Sequence, residues 1–343
     1  MLFENLFLSI IIFFSLYLLL HKFKFLSDNI SFSSHKKIGA KNKSPIMLGG
    51  FFLLLIILVF IPNSIIEIKL IFFLITVLGV LSDKNILPNP KIRFVFQITI
   101  ILCLIHFDKL SINDVRLEVF NVFLENRFFN IFFTAFCLAI LINGSNFIDG
   151  LNGLLTGYSI MILYSIIYIN EVNAEISFFY IEYLQIILFS LMLFFIFNIS
   201  GNVYLGDSGS YLISIFLGSF LIKFYLNNSY ISPYYIALLL WYPAFENLFS
   251  LIRRIYEKKS ISNPDNRHLH QLVFLFFKSK NIFSVKKLNP ISSATILLFN
   301  FPSFLIASNL PSKSTSLIFM LSINIFLYLI VYNFLTKHLK IKK

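Results

Sequence analysis

Eleven apolar stretches run along this chain, at approximately 2–20, 46–61, 66–81, 92–107, 128–142, 154–169, 183–198, 211–226, 233–250, 291–310 and 316–335. Each is about 15 to 20 residues long, enough at 1.5 Å per residue to reach across most or all of a bilayer core. The pattern predicts an all-α, polytopic transmembrane helical bundle. Two stretches, 66–81 and 211–226, carry Glu67, Lys69 and Lys223 near their ends, where long side chains can snorkel, so ten or eleven spans are expected. A soluble fold is excluded, because 13% of the residues are charged against roughly a quarter in soluble domains. The first stretch has Glu4 in place of a basic leader region and no small-residue cleavage pattern after it. It is read as a retained helix.

The charges orient the spans. With eleven crossings, the segments 21–45, 82–93, 143–152, 199–210, 251–290 and 337–343 share one side and hold 22 of the 28 Lys and Arg residues. The opposite segment 170–182 carries Glu171, Glu175 and Glu182 and no basic residue. The positive-inside bias therefore predicts an N-terminus outside and a cytoplasmic C-terminus. The net charge of +12 is explained by these loops, and no nucleic-acid partner is expected. Cys103 and Cys137 both lie inside apolar stretches, which supports neither a disulfide framework nor a thiolate metal site. Residues 1–343 are expected to form a single membrane domain with cytoplasmic loops 21–45, 82–93, 143–152, 199–210 and 251–290.

Four polar clusters fall on that side: Gly79 to Gln97, Asn143 to Leu154, Tyr204 to Ser210, and Asn263 to Leu272. The orientation was set by charge alone, so their agreement carries information. Ionisable groups at a membrane boundary are costly, which makes them functional candidates. Asp83, Asp149 and Asp207 offer three carboxylates on three loops, beside Gly79, Gly150, Gly206 and Gly209. Hard oxygen donors suit Mg²⁺ or Mn²⁺, and Mg²⁺ is usually held by one or two carboxylates together with substrate phosphates. Lys91, Arg93, Arg253, Arg254, Arg267, His268 and His270 add groups suited to phosphate oxygens. A nucleoside diphosphate bound beside lipid is the guest that this chemistry implies.

Each element alone has a plainer reading. Asp-Gly and Asn-Gly pairs are ordinary turn formers, and Arg253 and Arg254 serve equally as positive-inside anchors. The "GDSG" run around Ser208 evokes a serine-protease loop, but no matching His and Asp arrangement accompanies it. His268 and His270 lack a third His or Cys for zinc. Asn143, Asn146 and Asp149 lie three residues apart, so they share one broad helical face where packing alone would favour apolar side chains.

Taken in order, the four clusters resemble the polyprenyl-phosphate N-acetylhexosamine-1-phosphate transferases, a family of the glycosyltransferase 4 type. Its Asp-rich motif looks like Asp83 with Lys91, Arg93 and Gln97. Its NxxNxxDGxxGL motif is matched by Asn143, Asn146, Asp149, Gly150, Gly153 and Leu154, and its GDxGS motif by Gly206, Asp207, Gly209 and Ser210. Arg267, His268, Leu269 and His270 look like its His-rich loop, after a similar helix, "PAFENLFSLIRRI". Three departures are present: Ser82 for the first of two adjacent aspartates, Gln271 for the last histidine, and one extra residue between Pro45 and Gly50. The chain is more similar to the GlcNAc-1-phosphate and O-antigen initiating branch than to the muramoyl-pentapeptide branch.

The resemblance implies transfer of HexNAc-1-phosphate from a UDP-N-acetylhexosamine to polyprenyl phosphate, with release of UMP, at a bacterial inner membrane and with a homodimer allowed. It implies catalytic roles for Asp83, Asp149 and Asp207, with Mg²⁺ held by Asp207 and Asp83. Asn143, Asn146 and Asn198 would hydrogen-bond the nucleoside or sugar, while Lys91, Arg93, Arg267, His268 and His270 would hold phosphates. A transporter or flippase of an anionic or lipid-linked substrate is the rival class, and it predicts polar residues at span midpoints. A phospho-MurNAc-pentapeptide transferase and an inactive homologue are further alternatives. Ser82 is expected to matter little, because a phosphate monoester with a second pKa near ~6 is mostly a dianion at neutral pH and needs no base.

Overall fold

The computed structural model describes residues 2–23, 46–62, 66–173, 176, 181–260, 265–281 and 283–340. Most of the expected loop 21–45, Pro45, Glu175, and the start of the fourth cluster at Asn263 and Pro264 lie outside the described residues. All eleven apolar stretches become helices: α1 (Leu2–Phe23), α2 (Gly49–Phe60), α3 (Ile66–Asp83), α4 (Pro90–Asp108), α6 (Arg127–Ile148), α7 (Leu154–Val172), α8 (Ile181–Ile199), α9 (Gly206–Leu226), the pair α10 (Pro233–Leu239) and α11 (Trp241–Tyr256), α13 (Val285–Asn309) and α14 (Ser314–His338). Two further helices, α5 (Glu118–Leu124) and α12 (Leu269–Lys280), fall between the stretches.

The protein is a polytopic helical membrane bundle. Among the described residues, eight helices are long and apolar enough to cross a membrane, and α10 with α11 gives a ninth if counted as one span. The two stretches that fall short do so for visible reasons: α2 has 12 residues, and α3 carries Glu67, Lys69 and Asp83. The stretch 233–250, expected as one helix, is bent by 73° between α10 and α11. Pro243 accounts for the break, since it cannot donate to the Leu239 carbonyl and its ring collides with that turn.

The centre of the bundle is α9, which packs against α2, α3 and α6. Close approach is possible because glycine faces it from two sides. A Cβ built on Gly79 of α3 would fall 2.3 Å from the Ser208 Cα, and one on Gly50 of α2 would fall 2.5 Å from the Ser208 hydroxyl. Without a strong hydrophobic drive between helices in lipid, such small-residue contacts supply the packing. The starts of α2 and α9 are also clasped by a two-stranded parallel ladder, β1 (Ile46–Met47) with β2 (Val203–Tyr204), in the register Ile46 opposite Val203. Hydroxyls inside the helices bond back to the preceding turn, as Thr76 does to the Phe72 carbonyl and Ser159 to that of Leu155. This satisfies them where water is absent.

Among the described residues, ion pairs gather at the two ends. At one, Lys223 of α9 pairs with Asp108 of α4, and Arg116 donates to the carbonyls of Ser312 (3.2 Å) and Ile231 (3.3 Å) and the Ser314 hydroxyl (2.8 Å). The other end carries the four sequence clusters.

Candidate active site

Asp207 stands in the first turn of α9, where unpaired amides and the helix dipole favour an anion. No side chain from its own segment caps that terminus. The cap comes from α3 instead: Asp83 Oδ1 accepts from the Asp207 amide (2.9 Å) and Oδ2 from the Ser208 amide (3.1 Å). The arrangement requires Gly206, which has φ of +75° and whose Cβ would fall 2.8 Å from Asp83 Oδ2. Thus the Asp83 carboxylate spends both oxygens on the α9 terminus.

The residue before it, Ser82, donates to Asp207 Oδ2 at 2.5 Å. Arg93, in the first turns of α4, donates to the Ser82 hydroxyl and lies 3.3 Å from the same Asp207 oxygen. Asn89 caps α4 by accepting from the Lys91 amide (2.9 Å), with Pro90 at its first position; this cap sets the helix that carries Arg93. The Arg93 and Asp207 side chains are each about a quarter exposed, and Lys91, also at the start of α4, is exposed. Ser208 is fully buried against α2 and α3, which removes it as a nucleophile.

The second cluster ends α6. Asn146 Oδ1 lies 3.0 Å from the Ser210 hydroxyl, itself 3.1 Å from the Asp207 carbonyl, so the cluster meets α9 directly. Asn143 donates to Gln97 of α4 (3.3 Å) and to the Ala139 carbonyl (2.9 Å). Between them Gly144 lets α11 approach, since its Cβ would fall 2.0 Å from the Pro243 carbonyl oxygen. Asp149 is the half-buried C-cap of α6. Asn198 lies inside the fold: it accepts from the Gly153 amide (2.8 Å) and the Thr156 hydroxyl (3.2 Å) and donates to the Val203 carbonyl (2.9 Å).

The fourth cluster docks on the second. The His268 ring lies against Phe147 of α6 (centroids 4.7 Å apart) and stacks on His270 (5.7 Å, 9°). A Cβ on Gly150 would fall 2.6 Å from His270 Nε2. Both imidazoles are buried. Asp265 is held by Arg253 and by the Ser250 hydroxyl (2.8 Å). Burial opposes its charge, but His268 and Arg253 beside it keep its carboxyl below the usual range. Arg267 pairs with Glu257; this guanidinium, with Lys259 nearby, draws the Glu257 carboxyl down to about 2. The pair is therefore charged throughout the neutral range.

Of the expected residues, the structure thus brings Asp83, Arg93, Asp207, Asn146 and Asn143 into one connected group, with Lys91 two residues before Arg93 on α4. Asp149, His268 and His270 form a second group beside it. The sequence reading did not single out Glu246, 1% exposed in α11, which accepts from His268 Nδ1 (3.0 Å), the Leu269 amide (3.2 Å) and the Tyr328 hydroxyl (3.0 Å). An acid inside the apolar stretch 233–250 was itself the available signal. Gln271, where the resemblance expects histidine, caps α12 by accepting from the His268 amide (3.2 Å).

Among the described residues no three His, Cys, Asp or Glu side chains gather to hold a metal by themselves. A divalent ion that shares its coordination with substrate phosphates needs fewer protein ligands. Asp207 fits that use, because its Oδ2 is engaged by Ser82 and Arg93 while its Oδ1 makes no hydrogen bond to the described residues.

Comparison with known proteins follows the same residues. The family model of glycosyl transferase family 4 matches residues 65–225, a span that holds every expected site residue except Arg267, His268 and His270. The chain is 29% identical over 256 residues, 68% of each chain, to the "Probable undecaprenyl-phosphate N-acetylglucosaminyl 1-phosphate transferase" of Bacillus subtilis. It is 30% identical over 159 residues, 46% of each chain, to the undecaprenyl-phosphate alpha-N-acetylglucosaminyl 1-phosphate transferase of Thermotoga maritima. A third similarity, 27% over 150 residues, covers 38% of this chain and 37% of the decaprenyl-phosphate N-acetylglucosaminephosphotransferase of Mycolicibacterium smegmatis.

Proposed function

We propose, from the match of residues 65–225 to the family model of glycosyl transferase family 4 and the similarity to the Bacillus subtilis protein, that this chain transfers N-acetylhexosamine 1-phosphate from a UDP-sugar to polyprenyl phosphate and releases UMP. The names of the similar proteins favour N-acetylglucosamine as the sugar and undecaprenyl phosphate as the acceptor. The reaction would take place at the cytoplasmic face of a bacterial inner membrane and start a cell-surface glycan such as O-antigen or capsule. One observation carries the reading: Asp207, Ser82 and Arg93, from three helices, meet at an anion-favouring helix start at one end of a membrane bundle.

In this reaction an oxygen of the lipid phosphate bonds to the phosphorus next to the sugar. The bond from that phosphorus to the bridging oxygen breaks, and the electron pair leaves with UMP. No covalent protein intermediate is required. The protein has to align the two phosphates and stabilise charge on the transferring group. The open oxygen of Asp207 would hold Mg²⁺ or Mn²⁺, which supplies charge neutralisation when bound. Arg93 and Lys91 attract phosphate oxygens, and Arg93 with Ser82 fixes the direction of the Asp207 carboxylate. Asp83 keeps the α9 terminus in register. Asn143, Asn146 and Asp149, at the end of α6 beside this group, would contact the sugar or nucleoside.

The direct test is purified protein with polyprenyl phosphate, Mg²⁺ and a panel of radiolabelled UDP-sugars, scored for lipid-extractable label and UMP. UDP-N-acetylglucosamine is expected to label the lipid. Folded protein that labels it with none of the panel refutes the reading. A second prediction concerns orientation: reporter fusions at Asn89 and the C-terminus should report cytoplasm, and those at Asn113 and Asn173 the outside. If Asn89 reports outside, the site faces away from cytoplasmic nucleotide sugars.

A further inference from the structure

Behind the two histidines lies a buried acid that the proposed reaction does not use. Glu246 sits in α11 with 1% of its surface exposed, where an unpaired charge would be prohibitive. It is paired on both oxygens. Oε1 faces His268 Nδ1 (3.0 Å) and the Leu269 amide (3.2 Å), while Oε2 accepts from the Tyr328 hydroxyl of α14 (3.0 Å).

These contacts determine a tautomer. Both oxygens already accept, Oε1 from the Leu269 amide and Oε2 from the Tyr328 hydroxyl, so the contact with His268 places the proton on Nδ1. Nε2 lies 3.9 Å from Asp265 Oδ2, beyond hydrogen-bond reach. The Leu269 amide belongs to the first residue of α12, so the same oxygen that orients the ring also fixes where that helix begins. From there the stack of His268 on His270 carries the constraint to the Asp149–Gly150 turn, against which His270 is packed.

We infer that Glu246 is a positioning residue that acts through His268: it fixes the Nδ1–H tautomer and the start of α12, and so sets His270 against the Asp149–Gly150 turn. His268, closed in by Glu246, Asp265, His270 and Phe147, is the link in this chain rather than a phosphate contact. The kinetic part of the inference rests on the transferase reading; the tautomer part does not.

The experiment pairs both. With ¹⁵N-labelled histidine and His268→Gln to assign the signal among the six histidines, the wild type should show His268 protonated at Nδ1, and Glu246→Leu should lose that signature. Transfer by Glu246→Leu should fall at least about 100-fold, by analogy with other acids that orient a histidine. In a His268→Ala background the same substitution should cost less than about threefold more, since residues acting as one unit are not additive. An unchanged tautomer in Glu246→Leu, or losses that multiply in full, overturns the inference. Should Glu246→Leu fail to fold, Glu246→Gln decides: its amide oxygen still accepts both donors, so the tautomer should persist and transfer should fall less than about tenfold. A Gln variant that melts like the wild type but has lost the Nδ1–H signature also overturns it. If the wild type transfers no sugar phosphate, the transferase reading fails on its own and the histidine spectrum still tests the clamp.

Discussion

Asp207→Asn is expected to abolish sugar-phosphate transfer while leaving the amount of folded protein unchanged. The substitution is nearly isosteric, and the amide oxygen can still accept from Ser82 and Arg93, so the contacts among α3, α4 and α9 persist. What disappears is a fixed negative charge and the oxygen open to a cation. Loss of one preorganised electrostatic contact commonly costs about 10²–10³ in turnover, and here the proposed ion would lose its protein anchor as well. Stability should change little, because an acid in a helix's first turn contributes about 0.3–1 kcal/mol. The measurement is turnover at saturating UDP-sugar alongside detergent-solubilised yield and melting temperature. Turnover near that of the wild type would refute the role given to Asp207, whereas a collapse in yield would show that the residue is needed for folding.

The membrane architecture was legible because apolar block length is a strong signal that loops and packing do not erase. All eleven stretches from 2–20 to 316–335 became helical. The two helices that escaped notice had weaker patterns. α5 has seven residues, and α12, with Lys278 and Lys280 in its last turn, reads as part of a charged loop. The bend before Trp241 was visible in Pro243, but an apolar run is the same composition whether straight or broken.

The site was legible as a gathering and illegible as a division of labour. Charge bias and motif order put four clusters on one side, and side-chain contacts join all four there. The task of each residue depends on neighbours far along the chain. Asp83 caps a helix 124 residues away, and no spacing rule predicts that a carboxylate next to a glycine-rich motif will be consumed by amides. The resemblance implied a ligand contact for Asn198, and its place within the fold, bonded to the Gly153 amide, the Thr156 hydroxyl and the Val203 carbonyl, was not part of the motifs. Glu246 was hidden by its surroundings, since an isolated acid in "PAFENLFSLIRRI" gains meaning only when His268, Leu269 and Tyr328 are seen around it.

Ser82 and Asp83 are adjacent, and their substitutions should separate sharply. In Asp83→Asn only one oxygen remains for two amides, and the carboxamide NH₂ would face a donor. A buried donor left unpaired costs about 1–3 kcal/mol, and the lost charge at the α9 terminus adds about 0.3–1 kcal/mol. The melting temperature should therefore fall by several degrees, and transfer should fall more than about 100-fold because Asp207 rides on the displaced terminus. Ser82→Ala removes one hydroxyl between Arg93 and Asp207, but the guanidinium already lies 3.3 Å from the carboxylate and can close on it directly. The lipid phosphate is mostly a dianion above its second pKa of ~6, so no base is lost with the serine. Its cost should stay within about tenfold, or ~1.4 kcal/mol of barrier, with an unchanged melting curve. Steady-state rates of both variants from about pH 6 to 9, across the range where the acceptor becomes fully dianionic, compare them. If Ser82→Ala is as inactive as Asp83→Asn, or if wild-type turnover climbs steeply above about pH 8, the acceptor needs a proton removed at this position and the dianion argument fails.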